Sequence, residues 1–205
     1  IPKIGGLFDP RMGVLENGRL CPVDKMDNKK CPGYFGHINL AVPVFYLHLI
    51  SWITKFLKCT CWKCSRVLIQ EHQIEYLKRF KRIDRFNELL KLSDKIPENK
   101  CPYCGAFKPN KINRDKKENI SKIKAQWEIN KEKEFVLWSA QDILNIFKKI
   151  TNEDVELMGL NPKLCRPDWL ICTKLNVPPP YVRPSVRNET NTRMEDDLTH
   201  KLCDI

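Results

Sequence analysis

Two cysteine pairs, Cys61-Trp-Lys-Cys64 and Cys101-Pro-Tyr-Cys104-Gly105, constrain this chain more than any other feature. A C-x-x-C segment places two thiolates on one tight turn. Two such turns brought together supply the tetrahedral four-sulfur shell of a structural zinc ion. Gly105 lets the backbone curl behind the last sulfur. Four thiolates around a divalent ion leave about two negative charges, and Lys58, Lys63, Arg66 and Lys100 stand near in sequence to offset them. All four ligand positions are filled by protein, so no place is left for a reacting water and the expected role is structural. Two unrelated redox dithiols would need the βαβ setting of thioredoxin-like chemistry, which the pattern lacks. Ten cysteines with no recognisable secretory leader also favour metal over disulfides. Cys59, Cys165, Cys172 and Cys203 read as small buried apolar residues.

A second cysteine stretch, "CPGYFGH" at residues 31–37, looks like half of a metal site. Upstream, Cys21 is followed by Asp24 where a C-x-x-C turn would place its partner. Downstream, Tyr34 stands at the spacing at which Cys31 would want a second ligand. A Cys/His hydrolase using Cys31 and His37 is poorly supported, because both lie in one turn-rich stretch with no orienting carboxylate.

The remainder is a basic mixed chain. It carries 36 Lys+Arg against 25 Asp+Glu, a formal net charge of +11, which favours an anionic partner, nucleic acid before membrane. No run of about 20 apolar residues offers a membrane span. The apolar segment 41–57 reads as a buried amphipathic helix with Pro43 near its first turn. Between the two C-x-x-C pairs, Ile74, Leu77, Phe80, Ile83, Phe86 and Leu90 recur at helical spacing, a helical insertion packed on a zinc ribbon. "FKPNKINRDKKENISKIKAQWEI" predicts a basic β-hairpin turning near residues 113–118, with Lys111, Lys116 and Lys117 available to phosphates. Ser139 and Thr151 each precede an acid by three residues, so both begin helices, the second ended by Gly159. A short apolar strand leads into Pro178, Pro179, Pro180 and Pro184, which predict an extended arm leaving the domain. On composition alone the arm could be an SH3-type ligand, while Tyr181, Arg183 and Arg187 also suit a loop lying against nucleic acid. A last helix starts with Asp196 and Asp197 at its positive end and runs to the end of the sequence without a C-cap.

Taken in order, "KIGGLFDPRMG", "CPGYFGHINLAVPVF", the Cys61/Cys64 pair, "ILNIFKKI", "RPDWL", "VPPPYVRPSV" and "EDDLTHKL" resemble the N-terminal region of the largest subunit of multisubunit DNA-directed RNA polymerases. The likeness is nearest to eukaryotic RNA polymerase II and its archaeal and large-DNA-virus relatives. It implies an α+β fold, an irregular zinc-stapled clamp domain of helices with small β-hairpins and a zinc ribbon. The implied divisions are a clamp core at 1–58, a clamp head at 59–135, further clamp core at 136–177, a lid-like loop at 178–197 and the start of a clamp helix at 198–205.

By the same resemblance, Cys61, Cys64, Cys101 and Cys104 hold one zinc, and Arg183, Arg187 and Arg193 lie beside separating nucleic-acid strands. The family's second zinc site, C-x2-C-x6-C-x2-H, falls here on Cys21, Asp24, Cys31 and Tyr34. Two ligands are replaced, so Cys21, Asp24 and Cys31 form a degenerate site not expected to bind zinc. A disulfide between Cys21 and Cys31 is disfavoured in a reducing compartment. The rest of the frame then serves the fold: Gly33 and Gly36 for tight turns, Phe35 for the core, and His37 as a hydrogen-bonded structural histidine. Implied partners are DNA, the RNA–DNA hybrid, the second-largest and other polymerase subunits, and transcription factors at the clamp. The implied setting is the nucleus of a eukaryote, or the host cytoplasm or virion of a large DNA virus. The acidic triplet of a two-metal site is absent from the sequence, so catalytic magnesium belongs to the full enzyme. A freestanding zinc-ribbon adaptor for nucleic acid is the alternative, and it would call for a self-contained C-terminus in place of an uncapped helix.

Overall fold

Strand alternation, not helical periodicity, governs the segment around Pro43. The computed structural model describes residues 3–114, 122–129, 132–187 and 193–205. In chain order these form strand β1 (Gly36–Phe45), helices α1 (Ile50–Cys59), α2 (Ile74–Lys78) and α3 (Arg82–Asp94), and strands β2 (Lys111–Arg114), β3 (Ile123–Ile129) and β4 (Glu132–Trp138). Helices α4 (Ala140–Lys148) and α5 (Asn152–Leu157) follow, then strands β5 (Ile171–Val177), β6 (Val186–Arg187) and β7 (Arg193–Met194), and helix α6 (Asp197–Asp204). The helix expected over 41–57 is thus confined to α1. β1 pairs with β5 in a two-stranded sheet. Each strand of such a sheet is an edge, where the N–H that Pro43 lacks need not be missed.

Two compact units result: Ile1–Ala41 with Thr173–Ile205, and Val42–Cys172. In the second unit α1 buries Ile50, Ile53, Phe56, Leu57 and Cys59. Phe56 lies 4.7 Å from Phe86 of α3 and meets Phe147 of α4 edge-on at 6.4 Å. The divisions expected at 58/59 and 135/136 therefore fall inside one shared core. Truncating fully buried Phe147 to alanine would cost about 3–5 kcal/mol by lost transfer energy and a cavity.

The helical insertion is two helices, not one. Arg82 takes a φ of +47° between α2 and α3, and the later stripe rotates so that Leu77, Phe86 and Leu89 are buried while Ile83 stays 49% exposed. Gly159, at φ +80°, ends α5 against this break. A Cβ there would collide with the Arg82 carbonyl oxygen, so the close approach requires glycine. Both predicted helix starts are present: Ser139 and Asp142 form a reciprocal capping box, and Thr151 accepts from the Asp154 amide.

The basic hairpin forms as β2 and β3, antiparallel with Lys111 opposite Gln126, and the strand runs through Asn113 to Arg114. β4, whose charged start "EKE" hides its strand character, adds a third strand with Ile123 opposite Trp138. One face buries Ile112, Ile123, Ala125, Trp127 and Trp138. Trp127 stands edge-on to both Trp62 and Trp138, at 6.0 and 5.8 Å.

The first unit has two small apolar clusters. Met12, Val177 and Leu202 form one; Val14, Cys21 and Cys31, with Tyr34 against them, form the other. The proline segment does not leave this unit. Pro179 seats on Gly33, where a Cβ would come within 2.9 Å of the Pro179 Cβ. The Tyr181 hydroxyl donates to the Val14 carbonyl and lies 3.2 Å from that of Asn28. A stiff polyproline stretch cannot enter a sheet, yet it can lie along a loop whose carbonyls it satisfies. α6 begins as expected, Asp196 accepting from the Leu198 amide. Phe35 is 72% exposed and His37 is exposed on β1, so neither has the structural role predicted for it in this unit. Among the described residues, no helix is long and apolar enough to cross a membrane.

Candidate metal centre

Both C-x-x-C turns of the second unit are built by one backbone pattern. The Cys61 amide donates to the Arg66 carbonyl and the Ser65 amide to that of Cys61, each at 2.9 Å. In the other turn Cys101 donates to Ala106 at 2.8 Å and Gly105 to Cys101 at 2.9 Å. Ser65 and Gly105 share a left-handed backbone, φ +61° and +68°. Isolated bridges between Thr60 and Val67, and between Lys100 and Phe107, hold the two stems.

The turns bring their sulfurs together. Cys61 Sγ is 3.6 Å from Cys104 Sγ, and Cys64 Sγ is 3.7 Å from Cys101 Sγ. All four lie within 4.8 Å of one another. A zinc–sulfur bond of about 2.3 Å in a tetrahedron requires sulfur separations of about 3.8 Å, whereas a disulfide needs about 2 Å. The cluster therefore fits a tetrahedral metal and not a pair of disulfides. Burial pushes the Cys61 and Cys64 thiols up. Burial also acts upward on Cys104, but the Ala106 amide and the three other sulfurs outweigh it and bring this thiol down to about 7. Cys104 is the exposed member of the set.

The shell around the cluster differs in part from expectation. Arg66 stacks over the Tyr103 ring at 4.8 Å and joins the two turns. Lys100 is committed to Glu98 at 2.5 Å. Lys108, which no sequence pattern singles out, is buried with its Nζ 2.8 Å from both the Ser93 carbonyl and Asp94, tying α3 to the second turn. The indoles of Trp62 and Trp127 both donate to the Phe107 carbonyl, at 3.0 and 3.1 Å. Cys59 and Cys172 are buried as predicted, but Cys165, just after a turn, and Cys203, on the outer face of the last turn of α6, are exposed.

The half-site of the first unit repeats the same turn. Cys21 donates to the Met26 carbonyl at 2.8 Å and Lys25 to the Cys21 carbonyl at 2.9 Å, with Lys25 at φ +59°. Cys21 Sγ, a carboxylate oxygen of Asp24 and Cys31 Sγ lie within 4.8 Å of one another. Asp24 Oδ1 accepts the Met26 amide at 2.9 Å, and Oδ2 accepts the Tyr34 hydroxyl at 3.0 Å. The Met26 amide, then the Cys31 thiol, the Tyr34 hydroxyl and the Cys21 thiol, hold the Asp24 carboxyl down at about 2 against the opposing effect of desolvation. The same hydrogen bond raises the Tyr34 pKa, so the phenol keeps its proton. Read from sequence, Tyr34 is only a lost ligand. Its pairing with Asp24, ten residues away in sequence, carries no signal in the residue pattern.

Residues 1–205 match the family described as RNA polymerase Rpb1, domain 1. The chain belongs to this family. This Rpb1 domain is 39% identical over 218 residues to the DNA-directed RNA polymerase subunit Rpo1N of Sulfolobus acidocaldarius, covering all of the chain and 23% of that relative. It is 39% identical over 213 residues to Rpo1N of Methanocaldococcus jannaschii, covering 15% of it. To the DNA-directed RNA polymerase II subunit RPB1 of Euplotoides octocarinatus it is 37% identical over 222 residues, covering 45%. The chain thus spans less than half the length of these relatives and corresponds to the N-terminal region of the largest polymerase subunit.

The residues predicted to touch nucleic acid fare differently. Lys111 is exposed on β2, while Lys116 and Lys117 lie outside the described residues. Arg187 and Arg193 are paired in backbone register across β6 and β7. Arg183 is a correction. It is fully buried, donating to the carbonyls of Pro178 and Leu7 and to the Thr199 hydroxyl, with its guanidinium 4.9 Å from the Phe8 ring centre. Burial lowers its pKa, opposed by Glu195, Cys203 and Asp196. With no exposed surface, an arginine spent on carbonyls inside the unit is out of reach of a phosphate.

Proposed function

We propose that this chain is the clamp portion of the largest subunit of a DNA-directed RNA polymerase, a wall that closes over DNA and the RNA–DNA hybrid during transcription. Family membership across the whole chain, together with a four-cysteine cluster whose sulfur spacing suits zinc, carries this reading. In it, Cys61, Cys64, Cys101 and Cys104 hold one structural zinc that staples the ribbon. That ion would fix the two turns and would do no chemistry, since its four positions are filled by sulfur. The net charge of +11 serves a nonspecific phosphate track, to which Lys111 on β2, Lys116 and Lys117 following it in sequence, and Arg187 and Arg193 on the β6/β7 ribbon contribute. Nucleotidyl transfer, with its magnesium, belongs to the full enzyme assembled with the second-largest and other subunits, in the transcription machinery of a nucleus or cell. Transcription factors would bind the same clamp.

The residues between Pro178 and Asp197 act in this reading as a lid that helps part RNA from the template. Deleting residues 186–193 in the assembled polymerase should leave nucleotide addition nearly intact and lengthen RNA–DNA hybrids on single-stranded templates. A deletion that abolished phosphodiester formation in an assembled complex would sink the assignment. DNA binding by the polymerase should also weaken when Lys111, Lys116 and Lys117 are replaced by glutamine, uniformly across sequences and with a shallower salt dependence.

A further inference from the structure

The likeness between the 21–26 turn and the two ribbon turns is one of backbone, and it ends at the side chains. In the ribbon, four sulfurs converge at separations set for a metal. In the first unit, both oxygens of Asp24 are already engaged, one by the Met26 amide and one by the Tyr34 hydroxyl. Tyr34 arrives from the other half of the loop. Its own amide is fixed on the Met12 carbonyl at 3.0 Å, and its ring packs on Val14, Cys21 and Cys31. A carboxylate-to-hydroxyl bond therefore joins the two halves at the place where, between the ribbon turns, a metal would.

We propose that the loop of residues 21–34 is closed without metal, by the hydrogen bond between Asp24 and Tyr34, in a backbone that retains the shape of a zinc knuckle. The donor set does not suit zinc. Binding it would require two thiol protons to leave and Asp24 to give up the Tyr34 hydroxyl, and a fourth protein ligand would cost the phenol its proton as well. The result would be a site with two hard oxygen donors where zinc prefers sulfur and nitrogen. The buried thiols Cys21 and Cys31 act instead as weak S–H donors toward the carboxylate and as filling of the small cluster with Val14. The fold of this loop is then independent of zinc supply, while its backbone stays preset for a metal that the side chains no longer ask for.

The inference rests on the family assignment but not on the ribbon holding zinc, and the two are separable by experiment. Zinc is measured in the assembled polymerase and compared with wild type, so that metal held elsewhere cancels. Cys31→Ser and Tyr34→Phe are expected to leave the zinc content unchanged. The double variant Asp24→Cys with Tyr34→His is expected to gain one zinc per chain, because only side chains are missing. Cys64→Ser should lose one zinc; if it does not, the ribbon reading fails and the loop reading stands. Loss of a zinc in assembled Cys31→Ser, or no gain in the assembled double variant, overturns the proposal. Should Cys31→Ser fail to assemble, cobalt(II) exchange decides: the assembled wild type and Asp24→Ala should give the same spectrum, and a two-thiolate band present in the wild type and lost from Asp24→Ala overturns the proposal.

Discussion

The 61–66 and 21–26 turns have the same hydrogen bonds and the same left-handed residue, Ser65 in one and Lys25 in the other, yet one is closed by sulfur and the other by oxygen. Neither left-handed residue is glycine, so each accepts a backbone cost on the order of 1 kcal/mol. The turn is thus a property of its local amide–carbonyl bonds. What a metal adds, where side chains invite it, is the tie between one turn and the next. Between the two halves of the 21–34 loop, a hydroxyl and a carboxylate make that tie on a turn with the same backbone.

The most forceful way to break the comparison is to remove a ribbon sulfur. Cys101→Ser should release the zinc to a mild chelator and forfeit on the order of 10 kcal/mol of metal-coupled folding energy. Hydrogen exchange should then open the amides of 61–107 while those of 21–34 stay protected. Joint opening of both would show that the two closures are not independent. Next in size is Arg183→Met, which leaves the carbonyls of Leu7 and Pro178 without their donor. Roughly 2–4 kcal/mol of stability should be lost from the first unit, read as a lower melting temperature with zinc content unchanged. A loss of DNA affinity without loss of stability would restore Arg183 to the nucleic-acid surface.

Tyr34→Phe removes one hydroxyl and should have a smaller effect than Arg183→Met, because Asp24 is half-exposed and water can replace the donor. Faster exchange confined to the 21–34 amides is the expected signal. The smallest effect is pH-dependent. With its pKa held at about 2 instead of 3.8, Asp24 contributes stability that is fully present above about pH 4. That contribution fades as pH falls toward 2, where the folded-state carboxylate is protonated. Zinc thiolates take up protons at higher pH than this. Acid titration should therefore release the ribbon's metal first and loosen the 21–34 loop second; the reverse order would contradict the assignment of the two closures.

The features that depend on short-range chemistry were legible before any fold was known. The C-x-x-C turns, the Ser139 and Thr151 caps, the Asp196 cap and the β2/β3 hairpin all follow from residues a few positions apart. What depends on which face a segment turns to the core was not. Val42 and Val44 are 63% and 48% exposed on β1, so the first part of an apolar run that looked like one buried helix is an edge strand. Arg183 looked like a surface cation because its partners, Leu7 and Thr199, are distant in sequence. The degenerate site was readable as a loss of ligands, but the bond from Tyr34 to Asp24 that replaces them needed three dimensions.

The shared carbonyl of Phe107 has a practical corollary. Three of the chain's five tryptophans meet at that one oxygen or stack on a ring that does: Trp62 and Trp127 through their indole N–H groups, Trp138 through its edge-on contact with Trp127. Indole emission depends on hydrogen bonding and solvent access, and ring coupling gives circular dichroism in the near ultraviolet. Phe107 itself closely follows the second cysteine turn, in bridge pairing with Lys100. The chain thereby carries an intrinsic optical gauge seated beside its four-cysteine cluster, one that would register the fastening of the ribbon by light alone, with no label attached.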